Sequence, residues 1–172
     1  MKLTATIRRG FTLIELLIVI TIIGVLTALV TTNLQGARSR ARDTRRKSDL
    51  RAIEQSVRLY YNDAKQFPAS GTGPAFAIVG CGTVAIPAEC NWGSPFATDT
   101  STYMGALPMD PSSSDLTALT YKYVSPSDDQ FILIAQLENL SDSDITDSHD
   151  RCASLYDSNK VDETKDFVIC AQ

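Results

Sequence analysis

Residues Arg8 to Ile20 read RRGFTLIELLIVI, and this stretch decides how the chain is organised. Glu15 is the only charged side chain from residue 10 to residue 37. At about 1.5 Å per residue, an uncharged helix from Leu16 to Ala37 is long enough to cross a hydrocarbon core of about 30 Å. We therefore predict a membrane span. A buried helix of a soluble protein is the alternative, although such helices seldom stay apolar on every side over this length.

The residues after the span predict that the helix continues. Apolar side chains recur at steps of three and four, at Leu50, Ile53, Val57, Tyr60 or Tyr61, Ala64 and Phe67. This spacing is typical of one face of an amphipathic helix. Because no proline occurs before Pro68, the span and the amphipathic segment are compatible with one continuous helix. Prolines and glycines between residues 68 and 74 then interrupt the pattern and begin a globular head.

The head reads as a small antiparallel sheet. Residues 119–124 (LTYKYV) and 130–137 (QFILIAQL) are rich in β-branched and aromatic side chains, and the turn residues 125–129 between them predict a hairpin. Residues 166–171 (DFVICA) predict a further strand. We interpret the Ser/Asp-rich residues 141–150 as a loop, and the sole histidine, His149, as a surface residue of it. The chain is long enough for one such domain after the span.

The four cysteines indicate an oxidising compartment. None belongs to the Cys-x-x-Cys pattern of zinc or redox sites, so disulfides are the better interpretation. Three connectivities are open, and sequence proximity favours Cys81–Cys90 with Cys152–Cys170. Four reduced, buried thiols are the alternative. Disulfides place the head outside the cytoplasm.

Charge is distributed unevenly along the 172 residues, whose net charge is −4. Residues 36–65 carry nine basic and four acidic side chains (+5), and residues 66–172 carry four basic and fifteen acidic ones (−11). This asymmetry favours contact between the basic helix of one subunit and the acidic head of another, although separate solvated faces would give the same pattern.

A basic segment follows the span, at Arg38, Arg40, Arg42, Arg45, Arg46 and Lys47. These six cations outnumber the three in residues 1–10, so the positive-inside rule predicts that the head lies in the cytoplasm. The cysteines predict the opposite orientation. We follow the cysteines. The same cations are candidates for contact with DNA or lipid phosphates, since a dense cationic strip attracts polyanions of any sequence.

The N-terminus resembles that of type IV pilins and of the pseudopilins of type II secretion systems. The resemblance rests on a short basic leader ending in Gly10, then Phe11, Thr12, Leu13, Ile14 and Glu15, then an apolar helix. It implies that a membrane prepilin peptidase cuts between Gly10 and Phe11 and methylates Phe11. It also implies an α+β pilin fold, with a long N-terminal helix packed on a small antiparallel sheet with disulfide-stapled loops.

Cleavage would supply a partner for Glu15. An acid in the middle of a bilayer costs on the order of 3 kcal/mol, and it is usually kept where a partner charge is available. The new α-amine of Phe11 lies four residues away, and in chains packed side by side the same pair would set their stagger. A protonated or snorkelling Glu15 at the membrane interface is the alternative.

A weaker resemblance lies at residues 107–111 (LPMDP), followed by Tyr121 and Tyr123, which are similar to a pseudopilin turn and strand. The tryptophan and glycine that usually follow the second proline are replaced here by serines, so the head is divergent. Many pilins kink the helix at a proline near the position of Thr32, so flexibility here would come from Gly24 and the threonine pair 31–32.

Two other functions have weaker support. Some pseudopilins bind calcium in a late loop, and this chain has candidate ligands at Asp142, Asp144, Asp147 and Asp150, without the EF-hand pattern. No cofactor is otherwise expected. Catalysis lacks a nucleophile motif, a second histidine and a phosphate-binding glycine loop.

We divide the chain into residues 1–10 (leader), 11–35 (transmembrane and assembly helix), 36–66 (amphipathic continuation) and 67–172 (head). The expected function is structural, as a subunit that polymerises with copies of itself through the N-terminal helix. Expected partners are the prepilin peptidase, the assembly machinery and, before assembly, membrane lipid. The precursor would lie in the cytoplasmic membrane and the mature subunit in a periplasmic or extracellular filament. A minor or competence-type pilin that binds DNA or a surface is the alternative.

Overall fold

The computed structural model describes residues 11–72, 76–83, 85–112, 121–155 and 161–171, without the side chains of residues 29–33. The chain divides into two units, Met1–Arg38 and Ser39–Gln172. The predicted leader, residues 1–10 with Gly10, lies outside the described residues.

One helix, α1, runs from Leu13 to Ala64 and belongs to both units. It passes through Gly24 as helix, so the expected flexibility there stays a prediction. The helix ends before Lys65, whose φ of 59° is left-handed. In the first unit, every side chain of residues 11–28 is exposed. Within the described residues, no helix meets the length and hydropathy expected of a membrane span.

The described residues of the second unit form eight strands and a second helix. The strands are β1 (Ala69–Ser70), β2 (Ile78–Thr83), β3 (Ile86–Cys90), β4 (Phe96–Ala97), β5 (Thr102–Met104), β6 (Tyr121–Ser127), β7 (Gln130–Gln136) and β8 (Asp166–Ala171). They form three antiparallel sheets in the orders β1-β2-β3, β4-β5 and β6-β7-β8. Helix α2 runs from Ser143 to Cys152, and a 3₁₀ turn from Ala153 to Leu155 follows it.

The apolar face of α1 packs on one side of the β6-β7-β8 sheet. Leu50, Ile53 and Val57 are fully buried, as the spacing predicted. They share a cluster with alternate strand residues such as Tyr123 and Leu133. Intervening strand residues, including Ile132, Ile134 and Val168, form a second cluster with Cys152 of α2. Strand β7 is therefore buried on both faces, which explains its nearly continuous apolar sequence.

The hairpin and the last strand are confirmed. Strands β6 and β7 pair from Tyr121 with Ala135 to Val124 with Ile132, and after a shift of register Ser127 pairs with Gln130. Strand β8 covers the predicted residues 166–171. Strand β6 extends to Ser127, so the turn is shorter than predicted, at residues 128–129. The predicted strand residues Leu119 and Thr120 lie outside the described residues.

The loop predicted at residues 141–150 is wrong, because most of it belongs to α2. The Asp142 side chain caps this helix by accepting a hydrogen bond from the Asp144 backbone N–H. Ile145, Ser148 and Cys152 are buried at steps of three and four. His149 is half-buried in the helix, and its Nε2 donates to the Asp166 carbonyl oxygen at 2.7 Å.

Both disulfides have the connectivity that sequence proximity favoured. Cys81 bonds to Cys90 within the β2-β3 hairpin, and Cys152 bonds to Cys170, joining the end of α2 to β8. No described cysteine is free.

Candidate functional site

The described chain begins at an exposed Phe11, with 76% of its surface accessible, followed by a helix start built from two side chains. Glu15 Oε2 accepts hydrogen bonds from the Thr12 backbone N–H and the Thr12 hydroxyl, both at 2.9 Å. The Glu15 backbone N–H donates to Thr12 Oγ1 at 3.3 Å. This reciprocal arrangement is a capping box, which satisfies backbone donors at the helix N-terminus.

The capping box gives Glu15 a role within its own chain. It reaches back to the residue next to Phe11, so its carboxylate already lies at the N-terminal end of the helix. Sequence reasoning missed Thr12 as its partner, although a threonine followed three residues later by a glutamate is the pattern of a capping box.

A second charged cluster lies inside the head unit, around Arg46, whose surface is 1% exposed. Its guanidinium donates to Asp43 Oδ1 at 2.7 Å and to Asp110 Oδ2 at 2.5 Å. Asp43 also accepts from the backbone N–H groups of Glu138 and Asn139, at 3.0 and 2.9 Å. Burial acts to lower the pKa of Arg46, but the hydrogen bonds to Asp110 and Asp43 outweigh it and raise the pKa above its ordinary value.

Two more cations of α1 pair with the head. Arg42 forms a bidentate pair with Glu138, which lowers the pKa of that carboxyl. Lys47 Nζ lies 2.7 Å from Asp142 Oδ2 and 2.6 Å from Asp144 Oδ2. With Arg46, these residues join α1 to the loop at residues 107–112, the end of β7 and the start of α2. The charge asymmetry of the sequence favours attraction between the basic segment and the acidic head, but it does not identify these pairs, because the partners lie 64 to 97 positions apart.

The N-terminal residues and most of the chain resemble known proteins, although no solved structure matches the chain. Residues 6–31 match the family model of the prokaryotic N-terminal methylation motif. The type II secretion system core protein G of Klebsiella michiganensis is 33% identical over 119 residues, which are 69% of this chain and 75% of that protein. That of Escherichia coli is 33% identical over 121 residues, 70% of this chain and 74% of that protein. The chain belongs to the type IV pilin and type II secretion pseudopilin family.

Its α+β fold, with an N-terminal helix, antiparallel sheets and two disulfides, agrees with this family. The Pseudomonas aeruginosa protein of the same name is 32% identical over 117 residues, 68% of this chain and 73% of that protein. The proline-flanked Asp110, which the sequence suggested as part of a pseudopilin turn, lies buried against Arg46.

The six cations proposed for polyanion contact do not form one exposed strip in this pseudopilin. Arg42, Arg46 and Lys47 pair with carboxylates of the same chain's head. Arg38 and Arg40 are exposed. Arg45 Nε lies 3.8 Å from Asp49 Oδ2. The contact expected between the basic helix of one subunit and the acidic head of another is thus partly formed within one subunit. The basic segment and the acidic head do attract each other, but these pairs form within one chain.

The four aspartates considered for calcium do not surround one position. Asp142 and Asp144 bind Lys47, and Asp147 and Asp150 are exposed on α2. Among the described residues, no group of three or more acidic, histidine or cysteine side chains is arranged to hold a metal ion. Calcium binding stays a prediction.

Proposed function

We propose that this chain is a filament subunit of a type II secretion system or a related type IV pilus, made as a precursor and processed at Gly10–Phe11. In this proposal a prepilin peptidase removes residues 1–10 and methylates the amine of Phe11. The observation that carries it is the methylation motif at residues 6–31, with a single carboxylate, Glu15, in the otherwise uncharged residues 10–37. The relatives named as type II secretion core proteins support it over most of the chain.

The apolar side chains of α1 supply the reason to assemble. Phe11, Leu13, Ile14 and most of the large apolar residues up to Leu26 are at least 44% exposed in the single chain. Before assembly membrane lipid would cover them, and in a filament the helices of other copies would do so. Helix association in lipid depends on close packing and polar pairs, so the Glu15 carboxylate and a neighbour's Phe11 amine would add direction and register.

For filament assembly, the charge of Glu15 should matter more than its capping hydrogen bonds to Thr12. Glu15→Ala removes the charge and the capping side chain, and Glu15→Gln removes the charge but keeps a side chain that can cap the helix. Thr12→Ala weakens only the cap. We expect the first two variants to insert into the membrane yet lose at least tenfold in filament yield, measured by electron microscopy and shearing. We expect Thr12→Ala to assemble nearly as well as the natural chain. Normal yield with Glu15→Gln would contradict charge pairing.

Processing is tested by mass spectrometry of assembled material. Phe11 should be the N-terminal residue and should carry one added methyl group. Gly10→Val should leave Met1 in place and block assembly, because the peptidase cuts after the glycine in this family. Assembled subunits that still contain Met1 would contradict the proposal.

The alternative is a minor or competence-type pilin that binds DNA or a surface. The exposed Arg38 and Arg40 favour it, whereas the pairing of Arg42, Arg46 and Lys47 inside the head reduces the positive charge available to DNA. Binding of duplex DNA that weakens steeply with salt, and is lost in Arg38→Ala/Arg40→Ala, would support this alternative.

A further inference from the structure

A groove of about 540 Å³ lies between α1, the end of α2 and strand β8. Arg51, on the α1 side, and Arg151, at the end of α2, are both exposed and both line it. Phe167 and Val168 contribute buried apolar surface, and Cys170 is half-buried. The groove therefore combines two exposed cations with an apolar floor.

The charge of this groove comes from the two arginines. The third charged residue in its wall, Glu54, pairs with Arg58 at 3.0 Å. Nearby Asp144 has a lowered pKa, caused first by its hydrogen bond to Lys47 and further by the charges of Arg51 and Arg151. Both guanidinium groups thus lie close enough to act on one carboxylate. Among the described residues, neither Arg51 nor Arg151 forms an ion pair within 4.0 Å.

An acidic surface lies beside the groove on the same head, since Asp147 is four residues before Arg151 on α2 and Asp150 directly precedes Arg151. Asp147 and Asp150 are exposed on α2, and Glu163 is exposed in the turn before β8. Asp150 and Glu163 line a second cavity, of about 410 Å³, together with His149. The hydrogen bond from His149 to the Asp166 carbonyl oxygen fixes the ring in this cavity. This surface and the arginine groove share no lining residue.

We propose that the acidic surface of one copy, Asp147, Asp150 and Glu163, docks against the groove of Arg51 and Arg151 on a second copy. This inference rests on the proposed filament function and adds to it a contact between heads. Two different surfaces that bind each other form a heterologous contact, and such contacts repeat into open helical filaments when they do not close into a ring.

Charge explains why such a contact is needed. The head unit, residues 39–172, carries twelve basic and nineteen acidic side chains, a balance of −7, so heads brought together by their N-terminal helices repel unless a cation of one faces an acid of the next. Arg51 lies on α1, and Arg151 is one of the four basic side chains in residues 66–172. Exposed pairs of this kind contribute little energy each, so the contact selects the register of the heads while the helices provide most of the stability.

Charge reversal in the full chain tests the contact. We expect Arg51→Glu/Arg151→Glu to reduce filament yield at least fivefold, and Asp147→Lys/Asp150→Lys to do the same. The variant combining all four changes should recover most of the yield, because the pairs are restored with opposite signs. Arg45→Glu is the matched control, since it reverses an exposed arginine of α1 outside the groove. Thermal unfolding of each variant shows whether the fold is retained.

Several outcomes would overturn the inference. The first is a normal filament yield in both double variants. The second is a combined variant whose filament yield does not recover, and the third is a loss of filament yield in Arg45→Glu equal to that of the double variants. Salt-sensitive DNA binding that disappears only in Arg51→Glu/Arg151→Glu would assign the groove to a polyanion instead. Absence of filaments from the natural chain, or full assembly of Glu15→Ala, would contradict the proposed function itself, so the two failures are distinguishable.

Discussion

At the scale of single residues, Arg46 has the largest expected effect on stability. Its guanidinium is buried between Asp43 and Asp110, and each side chain of these pairs is only 2% exposed. Arg46→Met leaves both carboxylates buried without their cation, and removing one partner of a buried ion pair costs about 3–5 kcal/mol. Backbone hydrogen bonds to Asp43 remain, so we expect about 3 kcal/mol, measured by urea unfolding of the full chain in detergent micelles.

The matched control for Arg46 is its neighbour Arg45, whose side chain is 68% exposed. Arg45→Met should change the free energy of unfolding by about 0.5 kcal/mol or less. An equal effect of the two substitutions would show that the buried cluster adds nothing beyond general charge. The helical period distinguishes these adjacent arginines, because Arg46 lies four residues before Leu50 and seven before Ile53 on the buried face. Its ion-pair partner is not evident from the sequence, since Asp110 follows 64 positions later.

At the same scale, the assembly residues are predicted from the local order of residues at the N-terminus, and their partners in a filament lie beyond the reach of such a pattern. Gly10, Phe11 and Glu15 were recognised from their order at the chain start. Their chemistry in a filament depends on a second copy, which no single chain shows. The signal for Thr12 is equally local, but a carboxylate in an apolar segment suggests a charged partner before it suggests a capping hydroxyl.

At the scale of elements, Lys47 ties the start of α2 to α1. Burial acts to lower the pKa of Lys47, but hydrogen bonds to Asp142 and Asp144 raise it overall, and the pKa of Asp144 is lowered by the same contact. A lowered carboxyl pKa gives stability that is present above about pH 4 and is lost as pH falls through the folded pKa. A raised lysine pKa gives stability that is present below about pH 10 and is lost above it.

Hydrogen exchange of the α2 amides, compared with those of β7, measures this contribution. At pH 7 we expect Lys47→Met to weaken α2 by on the order of 1 kcal/mol, a modest value because Asp144 is 46% exposed and screened by solvent. As pH falls below about 4 and through the lowered pKa of Asp144, the variant and the natural chain should converge, because protonation removes the ion pair from the natural chain. Arg40→Met, an exposed change on the same helix, should leave α2 unchanged. A difference that persists undiminished at low pH would contradict the ion pair as its cause.

The sequence predicted elements well where apolar residues recur or run together, and poorly where polar residues dominate. The apolar face of α1 has a helical period and strand β8 has a continuous apolar run, and both are confirmed. Helix α2 has only Ile145 and Cys152 as large buried apolar positions among aspartates and serines, which favour loops when they lack tertiary partners. Its stability comes from the Asp142 cap, from Lys47 and from the Cys152–Cys170 bond, and two of these involve distant residues.

At the scale of the whole molecule, the two disulfides decide where the head can fold. They close loops with sequence separations of 9 and 18 residues, and the chain-entropy estimate is about 3 kcal/mol for each. Removing both by Cys→Ala substitution should cost about 6 kcal/mol, comparable with the total stability of about 5–15 kcal/mol of an ordinary domain. Urea unfolding should show a large loss for each pair. Unchanged stability in both double variants would contradict a structural role.

The stability that the disulfides provide favours the orientation predicted from the cysteines over the one predicted from the positive-inside rule. The six cations after the predicted span act during insertion, before Arg42, Arg46 and Lys47 meet their carboxylates. A head inserted on the cytoplasmic side would lack its disulfides and be close to unfolding. We therefore expect the head outside the cytoplasm, so that alkaline phosphatase fused after Gln172 is active and a cytoplasmic reporter at the same position is not. Arg8→Glu/Arg9→Glu, which removes leader cations, should lower phosphatase activity, and an inactive phosphatase fusion on the unaltered chain would show the opposite orientation.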